Sequence, residues 1–483
     1  MTEQKRLFIG GRWADPSTDQ VIDVVSPHTE EVIATVAAAS SADVDRAVAT
    51  ARTAFDEGPW PRLAPAERVA AVRRLSGLYR QRRREMAQLI TSEMGAPISF
   101  SKFSQATLPM LLLDAYADIA GTVAWEERRP GRFGGDVLVR KEPVGVVAAI
   151  VPWNMPQFLI VGKLAPALLA GCTVVVKSAP QTPLDAQLLA ELVAEADLPE
   201  GVVSILPADV EAGRHLVGHP GVDKVSFTGS TAVGREIATT CGASLKRVGL
   251  ELGGRSAAVV LDDADPAAVA EGIKLAGLMN SGQTCVAQTR VLVPAARHDE
   301  YLDALATMVE GLRVGDPTDP ATEIGPLVTR RQRDRVRDRI EEGRNEGARL
   351  VLGGAGRPDG LGTGWYVRPT LFADVDNGMR IAREEIFGPV LAVIAHDGDE
   401  DAVRIANDSD YGLSGSVWTA DTERGLAVAR RVRTGSYGVN QPYSMDPAAP
   451  FGGMKASGVG RELGPEGLDG YLESKSVSIA EVG

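Results

Sequence analysis

Residues 143–180 read PVGVVAAIVPWNMPQFLIVGKLAPALLAGCTVVVKSAP. The stretch opens with an uninterrupted apolar run, Val144–Val151, which predicts a buried strand. A turn with two prolines leads into an apolar helix over about 157–170, and Thr173–Val176 is the next strand. Two strands that are apolar throughout and are joined by a helix are typical of a parallel sheet covered on both faces. The unit therefore predicts an α/β fold.

The same alternation continues along the chain. A helix opened by Thr182-Pro183, with Thr182 as its cap, is followed by strands at Val202–Leu206 and Val222–Phe227. A second series has strand candidates at Ala257–Leu261, Val286–Val293, Val390–Ile394, Leu413–Val417 and Gly435–Val439. The segment Glu251–Arg255 joins the two series, so we expect a domain boundary there. At the N-terminus, Lys5–Ala34 has the turn residues of a β-meander.

Composition narrows the class of protein. The chain has 483 residues, of which 44% are apolar and 24% charged, as in ordinary globular proteins of two or three domains. Its net charge of −13 disfavours nucleic-acid binding. No apolar run approaches the roughly 18 residues of a membrane span, and the N-terminus lacks the apolar core of a secretory signal. With only three cysteines as well, we expect a cytoplasmic protein that binds neither nucleic acid nor membranes.

One of these cysteines is a candidate nucleophile. Cys285 lies in the polar, glycine-bearing turn Asn280–Gln288, between a helical stretch and an apolar strand. Such turns can hold an accessible reactive group, although a lone cysteine is more often a small buried apolar residue. The residues that accompany it decide between these interpretations.

Several of these companions follow the predicted strands of the first series. Asn154 lies between two prolines, where a stiff turn can aim its amide as an oxyanion donor, and Lys177 ends a strand where ligands of open α/β sheets bind. Gly229 and Ser230 lead from a strand into a helix N-terminus that favours an anion. Each also has a plain interpretation, as a turn asparagine, a solvated lysine and an ordinary turn.

Two glutamates are further candidate site residues. Glu251 is flanked by leucines, and apolar surroundings raise the pKa of an acid toward the value that a general base needs. Glu385 and Phe387 are two residues apart, so an extended run would direct both to one side, toward a ribose and a planar ring. Alternatively, Glu251 and Phe387 only pack in the core.

Taken in order, these segments resemble the aldehyde dehydrogenase superfamily, over nearly the whole chain. The motifs are Pro152-Trp153-Asn154, Lys177, Phe227-Thr228-Gly229-Ser230, Glu251-Leu252-Gly253-Gly254, Gly282-Gln283-Thr284-Cys285, Glu385-Ile386-Phe387-Gly388-Pro389, and Pro450-Phe451-Gly452-Gly453. The resemblance implies a Rossmann-like cofactor domain, an α/β catalytic domain and a small β oligomerisation flap.

The resemblance also implies catalytic roles. Cys285 corresponds to the nucleophile, and Asn154 with the backbone N–H of Cys285 corresponds to the oxyanion hole. Glu251 corresponds to the base that activates water against the thioester, and Lys163 and Glu462 to a proton relay. Because acylating relatives lack the glutamate, having both Cys285 and Glu251 indicates the hydrolytic branch.

For the cofactor, the resemblance implies NAD and a binding set without metal. The set comprises Ile150, Pro152, Trp153, Lys177, Ser178, Pro180, Gly229, Ser230, Gly234, Glu251, Leu252, Gly253, Glu385 and Phe387. Pro180 departs from the family pattern, because relatives often have there the glutamate that accepts the adenosine ribose 2′-OH. NADP therefore stays compatible with the sequence.

The substrate is expected in a tunnel of uncharged residues. By resemblance these are Met155, Leu159, Gly162, Thr284, Val286, Tyr443 and Met445. Gly162 falls where many relatives carry an aromatic residue, which widens the tunnel. We therefore expect a medium-sized or bulky hydrophobic aldehyde, aromatic or terpenoid-like.

The predicted division assigns 1–119 and 142–250 to the cofactor domain, with 441–462 returning to it. The catalytic domain is 251–440, and the flap is 120–141 with 463–483, in a homodimer or homotetramer. Two rival interpretations stay open. One is a cysteine-dependent thioesterase or amidase, and the other is a catalytically silent binding or structural relative.

Overall fold

The computed structural model describes residues 2–442 and 445–480. The first elements are β1 (Thr2–Gln4), β2 (Leu7–Ile9), β3 (Arg12–Ala14), β4 (Val21–Val25), β5 (Val32–Ala37), α1 (Ser41–Asp56), α2 (Pro65–Met94), α3 (Ile98–Phe100), α4 (Leu108–Thr122), β6 (Glu126–Pro130) and β7 (Asp136–Pro143). A π-helical turn at Ser101–Thr107 joins α3 to α4. The predicted N-terminal meander is wrong as a single unit, because β2 and β3 extend a large sheet whereas β1, β4 and β5 form a sheet of their own.

The next part forms the core of that large sheet. Its elements are β8 (Val146–Ile150), α5 (Pro156–Ala170), β9 (Thr173–Ser178), α6 (Leu184–Glu195), β10 (Val203–Pro207), α7 (Val210–Gly218), β11 (Lys224–Thr228), α8 (Thr231–Ala243) and β12 (Arg247–Glu251). These five strands are parallel, in the spatial order β10-β9-β8-β11-β12. The strand order reverses between β8 and β11, and a crevice at the carboxyl ends of such a pair is where open α/β sheets bind ligands.

The predicted cap of α6 is wrong. Pro183 occupies the cap position, and the Thr182 hydroxyl is buried without a partner among the described residues. The Glu93 carboxylate takes this role from a distance, since it accepts hydrogen bonds from the N–H groups of Leu184 at 2.8 Å and Asp185 at 2.9 Å.

A second sheet follows. Its part of the chain contains β13 (Ala257–Val260), α9 (Pro266–Leu278), β14 (Arg290–Pro294), α10 (His298–Glu310), α11 (Arg330–Asn345), β15 (Arg349–Leu352), β16 (Thr370–Ala373), α12 (Arg380–Arg383), β17 (Val390–His396), α13 (Asp399–Asn407), β18 (Tyr411–Gly412), β19 (Gly415–Trp418), α14 (Thr422–Ala429) and β20 (Gly438–Val439). The sheet order is β15-β16-β17-β14-β13-β19-β20, parallel except for β15. The predicted strand Val286–Val293 starts four residues late, at Arg290, because the residues after Cys285 form a turn.

The C-terminal part returns to earlier sheets. Its elements are β21 (Met454–Lys455), β22 (Gly458–Val459), α15 (Gly464–Asp469) and β23 (Leu472–Ile479). β22 pairs with β12 of the first sheet, and β23 pairs with β7 at the edge of the antiparallel sheet β23-β7-β6. On the basis of these sheets we propose the predicted three-part division.

The fold is thus α/β, as predicted. Helix α5 is buried along its whole length, so polar side chains on it need partners inside the protein. Within residues 2–442 and 445–480, no helix combines the length and the apolar character that spanning a membrane requires.

Candidate active site

The turn before Cys285 has an unusual backbone. Asn280, Ser281 and Gly282 have consecutive positive φ angles of 52°, 59° and 73°. A Cβ built on Gly282 would lie 2.1 Å from the carbonyl oxygen of Gly388, so only glycine fits there. Left-handed residues other than glycine are strained and persist only where the surroundings hold them.

Side chains hold this turn in place. Ser281 Oγ accepts a hydrogen bond from Gly325 N at 2.9 Å, and Asn280 Nδ2 donates to the Asn154 carbonyl at 3.0 Å. Gln283 Oε1 accepts from Val328 N at 3.1 Å. All of these groups are buried, where an unpaired polar group would be costly. The turn is therefore fixed from three directions.

Asn154 lies beside the thiol turn. It follows β8 at the carboxyl edge of the first sheet, whereas Cys285 precedes β14 at the amino edge of the second sheet. Asn154 Nδ2 donates to the Gln283 carbonyl at 3.0 Å, which uses one of its two N–H bonds and leaves the second for another acceptor. The structure thus brings the predicted oxyanion donor and the thiol turn together.

Cys285 is partly buried, and its thiol is not activated in isolation. Burial, with the nearby charges of Glu385 and Glu251, raises the pKa of Cys285 to about 12, although the N–H groups of Cys285 and Val286 oppose this by hydrogen bonding to the sulfur. At neutral pH the thiol is therefore protonated, and its reaction requires removal of that proton.

Glu251 ends β12 and is 4% exposed. Burial and then the charge of Glu462 raise the pKa of Glu251 well above its usual value, and its Oε2 has no hydrogen-bond partner in the described part of the chain. The side chain lines a cavity of about 180 Å³ together with Ser226, Glu462 and Tyr471. Glu251 does not line the cavity that contains Cys285, so its contact with the cofactor stays a prediction.

Lys163 and Glu462 form a buried ion pair. Lys163 Nζ donates to Glu462 Oε1 and, at 2.7 Å, to Thr228 Oγ1. The pair connects α5, β11 and the C-terminal segment next to Glu251. The structure therefore assembles the predicted relay residues at one place.

The thiol opens into a second cavity of about 140 Å³ at the switch point of the first sheet. Eight of the residues predicted to bind the cofactor line it: Pro152, Trp153, Gly229, Ser230, Leu252, Gly253, Glu385 and Phe387. Sequence reasoning missed Gln332 and Arg335 on α11, because an arginine-rich helix resembles a solvated face.

The glycines and the carboxylate of this cavity fit a dinucleotide. A Cβ on Gly253 would lie 2.9 Å from Glu385 Oε2, so the glycine leaves that carboxylate free to face the cavity. Ser230 opens α8, where N–H groups and the helix dipole favour phosphate. The donor set is thus one of ribose acceptors and phosphate donors, as NAD requires.

The predicted extended run at Glu385–Phe387 is wrong. Phe387 has a φ of 62°, so the backbone turns between the two side chains. Glu385 Oε1 accepts from Gly254 N at 3.2 Å, and the Phe387 ring meets Trp153 edge-on at 5.5 Å between centroids. The two side chains reach one cavity through this kink.

The remaining predicted cofactor residues lie outside this cavity. Besides Glu251, they are Ile150, Lys177, Ser178, Pro180 and Gly234. Gly234 has a packing role, because a Cβ there would lie 2.5 Å from Leu252 Cδ2. The Ser178 hydroxyl is buried without a partner in the described residues, whereas Lys177 reaches the edge of the sheet.

Apolar side chains pack around the thiol on the side of α5. Met155, Leu159 and Val286 are buried in one cluster, with Met445 and Cys285 at its margin, and Thr284 and Gly162 are buried as well. A Cβ on Gly162 would meet only Glu462 Oε2 at 3.6 Å and Leu112 Cδ2 at 3.9 Å. Leu112 on α4 was not predicted as a neighbour. Tyr443 lies outside the described residues.

Comparison with known proteins identifies similar chains. The model of the aldehyde dehydrogenase family matches residues 13–477. Geranial dehydrogenase from Castellaniella defragrans is 47% identical over 477 residues, which are 99% of each chain. The structure of a Mycobacterium tuberculosis aldehyde dehydrogenase complexed with NAD⁺ superposes with a TM-score of 0.97 at 50% identity, covering 99% of this chain and 98% of the other. A cysteine-to-alanine mutant of aldehyde dehydrogenase C from Pseudomonas syringae, complexed with NAD⁺ and octanal, gives a TM-score of 0.95 at 43% identity, covering 98% and 96%.

Proposed function

Since this chain belongs to the aldehyde dehydrogenase family, we propose that it oxidises a medium-sized or bulky hydrophobic aldehyde to the carboxylic acid with NAD⁺. One observation carries this proposal. The Cys285 thiol stands beside an amide donor, Asn154, at the end of a cavity whose walls suit a dinucleotide.

The first step forms a covalent bond. After the Cys285 thiol has passed its proton to water, the thiolate adds to the aldehyde carbon, and the carbonyl oxygen becomes an oxyanion within reach of the free N–H of Asn154 and the backbone N–H of Cys285. The chemistry that bound NAD⁺ supplies is acceptance of a hydride from this carbon, which leaves a thioester on Cys285. Removal of one oxyanion donor typically costs about 10²–10³-fold in rate.

The second step hydrolyses the thioester. Glu251 takes a proton from water, and the resulting hydroxide adds to the acyl carbon. The carbon–sulfur bond then breaks, and the Cys285 thiolate takes the acidic proton of the departing acid, which leaves as the carboxylate. Burial raises the pKa of Glu251 well above its usual value, which makes its carboxylate a stronger base toward water. For it to act, Glu251 turns from the cavity that it shares with Glu462 toward Cys285. Lys163 and Glu462 provide the route by which its proton leaves.

The substrate class rests on the apolar cluster beside the thiol. Met155, Leu159, Val286 and Met445 offer no charged group to a polar aldehyde. Gly162 leaves vacant the space that a Cβ would occupy between Glu462 and Leu112. The names of similar proteins support the same class, since one is a geranial dehydrogenase and another was crystallised with octanal.

We also propose a homodimer or homotetramer in the cytoplasm. The antiparallel sheet has two outer strands, β6 and β23, whose side chains are largely exposed and whose edges can pair with a second chain.

A panel of aldehydes tests the proposal. Geranial, octanal and benzaldehyde are compared with succinic semialdehyde and betaine aldehyde, each with NAD⁺ and NADP⁺. We expect kcat/KM to be at least about tenfold higher for the hydrophobic aldehydes than for the polar ones, because a single hydrophobic contact can produce such a ratio. Cys285→Ala should abolish turnover. A higher kcat/KM for the polar aldehydes would refute the substrate class, and ester hydrolysis without reduced cofactor would favour a thioesterase.

A further inference from the structure

The carboxyl edge of the first sheet holds a lysine without a hydrogen-bonding partner. Lys177 lies one residue before the end of β9 and pairs in register with Leu206 of β10. The residue is only 8% exposed, yet its Nζ donates no hydrogen bond to any of the residues that the structure describes. The aliphatic part of Lys177 is buried, while its ammonium group can still bind a ligand at this edge of the sheet.

Asp209 is the acid that acts on this lysine. It follows β10 and caps α7, its Oδ1 accepting from Ala212 N at 3.0 Å. The Lys177 stem lies against the next turn of the same helix, where its Cε is 3.7 Å from a Cβ built on Gly213. Burial lowers the pKa of Lys177 to about 8, and the charge of Asp209 opposes this effect.

Position 180 supplies no charge at this edge. Dinucleotide enzymes commonly use a carboxylate near the adenosine ribose, which bonds the 2′-OH of NAD and repels the 2′-phosphate of NADP. Pro180, shortly after β9, has no such group. Lys177 alone would therefore attract a 2′-phosphate.

We propose that Asp209 replaces the missing carboxylate and thereby makes the chain prefer NAD⁺ to NADP⁺. Lys177 and Asp209 together have no net charge, which suits a neutral ribose hydroxyl, whereas Lys177 without Asp209 suits a phosphate. This inference rests on the proposed function, since it concerns the cofactor of that same site.

Substitution of one charge tests the inference. Asp209→Asn keeps the helix cap, because asparagine caps as well as aspartate does, and removes only the charge. The matched control is Glu211→Gln, two residues further on and in the first turn of the same helix. The dissociation constants of NAD⁺ and NADP⁺ are measured by calorimetry without aldehyde, at low and high salt.

We expect Asp209→Asn to tighten NADP⁺ about tenfold relative to NAD⁺ at low salt, as for one screened charge interaction, and less at high salt. Glu211→Gln should leave the ratio unchanged. Pro180→Glu should weaken the binding of NADP⁺ relative to the unaltered chain. This variant is the positive control, because it shows that the assay detects a carboxylate at this edge. An unchanged ratio in Asp209→Asn would overturn the inference but leave the proposed function intact. Failure of the unaltered chain to bind either nucleotide would overturn both.

Discussion

Replacement of Gly282 by alanine tests whether the turn aims the thiol. The residue has a φ of 73°, and the new Cβ would lie 2.1 Å from the Gly388 carbonyl oxygen, where ordinary contact begins at 3.4 Å. The left-handed backbone costs about 1–2 kcal/mol for a residue with a Cβ. Relief of the overlap adds about 1–3 kcal/mol, as overpacking does elsewhere. We expect the free energy of unfolding to fall by about 2–5 kcal/mol.

Activity should fall as well. The overlap requires the turn or Gly388 to move by more than about 1 Å, and a displacement of that size near reacting groups can cost about 10²-fold in rate. We therefore expect kcat/KM to drop about 100-fold. Chemical denaturation gives the stability, steady-state kinetics give kcat/KM, and alkylation of Cys285 in the folded variant reports displacement of the thiol.

Gly360 offers a matched control. Its φ of 79° is similar, but a Cβ there would meet none of the described residues within 4 Å. Gly360→Ala should therefore lose only about 1–2 kcal/mol, from the backbone alone, and keep its kcat/KM. The reasoning fails if Gly282→Ala retains normal kcat/KM, or if the two variants lose equal stability.

Three further outcomes follow from the site. Glu251→Gln should still give one burst of reduced cofactor per site, but its steady-state rate should fall more than about 10²-fold, because deacylation lacks its base. Intact-mass measurement should then detect an acyl adduct on Cys285. An unchanged steady-state rate would contradict this role of Glu251. Because burial raises the pKa of Cys285 to about 12, its alkylation without cofactor should rise about tenfold per pH unit between pH 7 and 10, and a plateau below pH 9 would show a thiolate instead. Gly162→Trp should lower kcat/KM for geranial at least about tenfold relative to propanal by filling the space beside Leu112, and equal effects on both substrates would place the aldehyde elsewhere.

The fold class and the family were predictable because both depend on patterns that act over short stretches. The strand–helix–strand unit at 143–180 is apolar where the structure buries it, and Val146–Ile150 and Thr173–Ser178 are its two strands. Gly229-Ser230 before α8 and Asn154 between its two prolines can likewise be recognised from a few neighbouring residues. Sequence reasoning therefore found the residues that lie near the thiol.

Features that depend on distant partners were not predictable. Thr182 does not cap α6, because Glu93 reaches the same N–H groups from another helix. Phe387 adopts a positive φ, although its neighbours suggested an extended run. Asp209 caps α7, and nothing in the residues around it in the sequence indicates that its charge acts on Lys177. In each case tertiary contacts overrode the local preference.

The hydrogen bonds between Asn154 and the thiol turn also bear on how the protein assembles. Asn154 belongs to the first sheet and Gln283 to the approach to the second, so the bond between them forms only when the two sheets dock. Before docking, the thiol lacks its oxyanion donor, and the turn lacks the hydrogen bond that Asn280 Nδ2 donates to the Asn154 carbonyl. The reactive centre is therefore complete only in molecules whose two sheets have docked, and a molecule with undocked sheets carries a cysteine without an oxyanion donor.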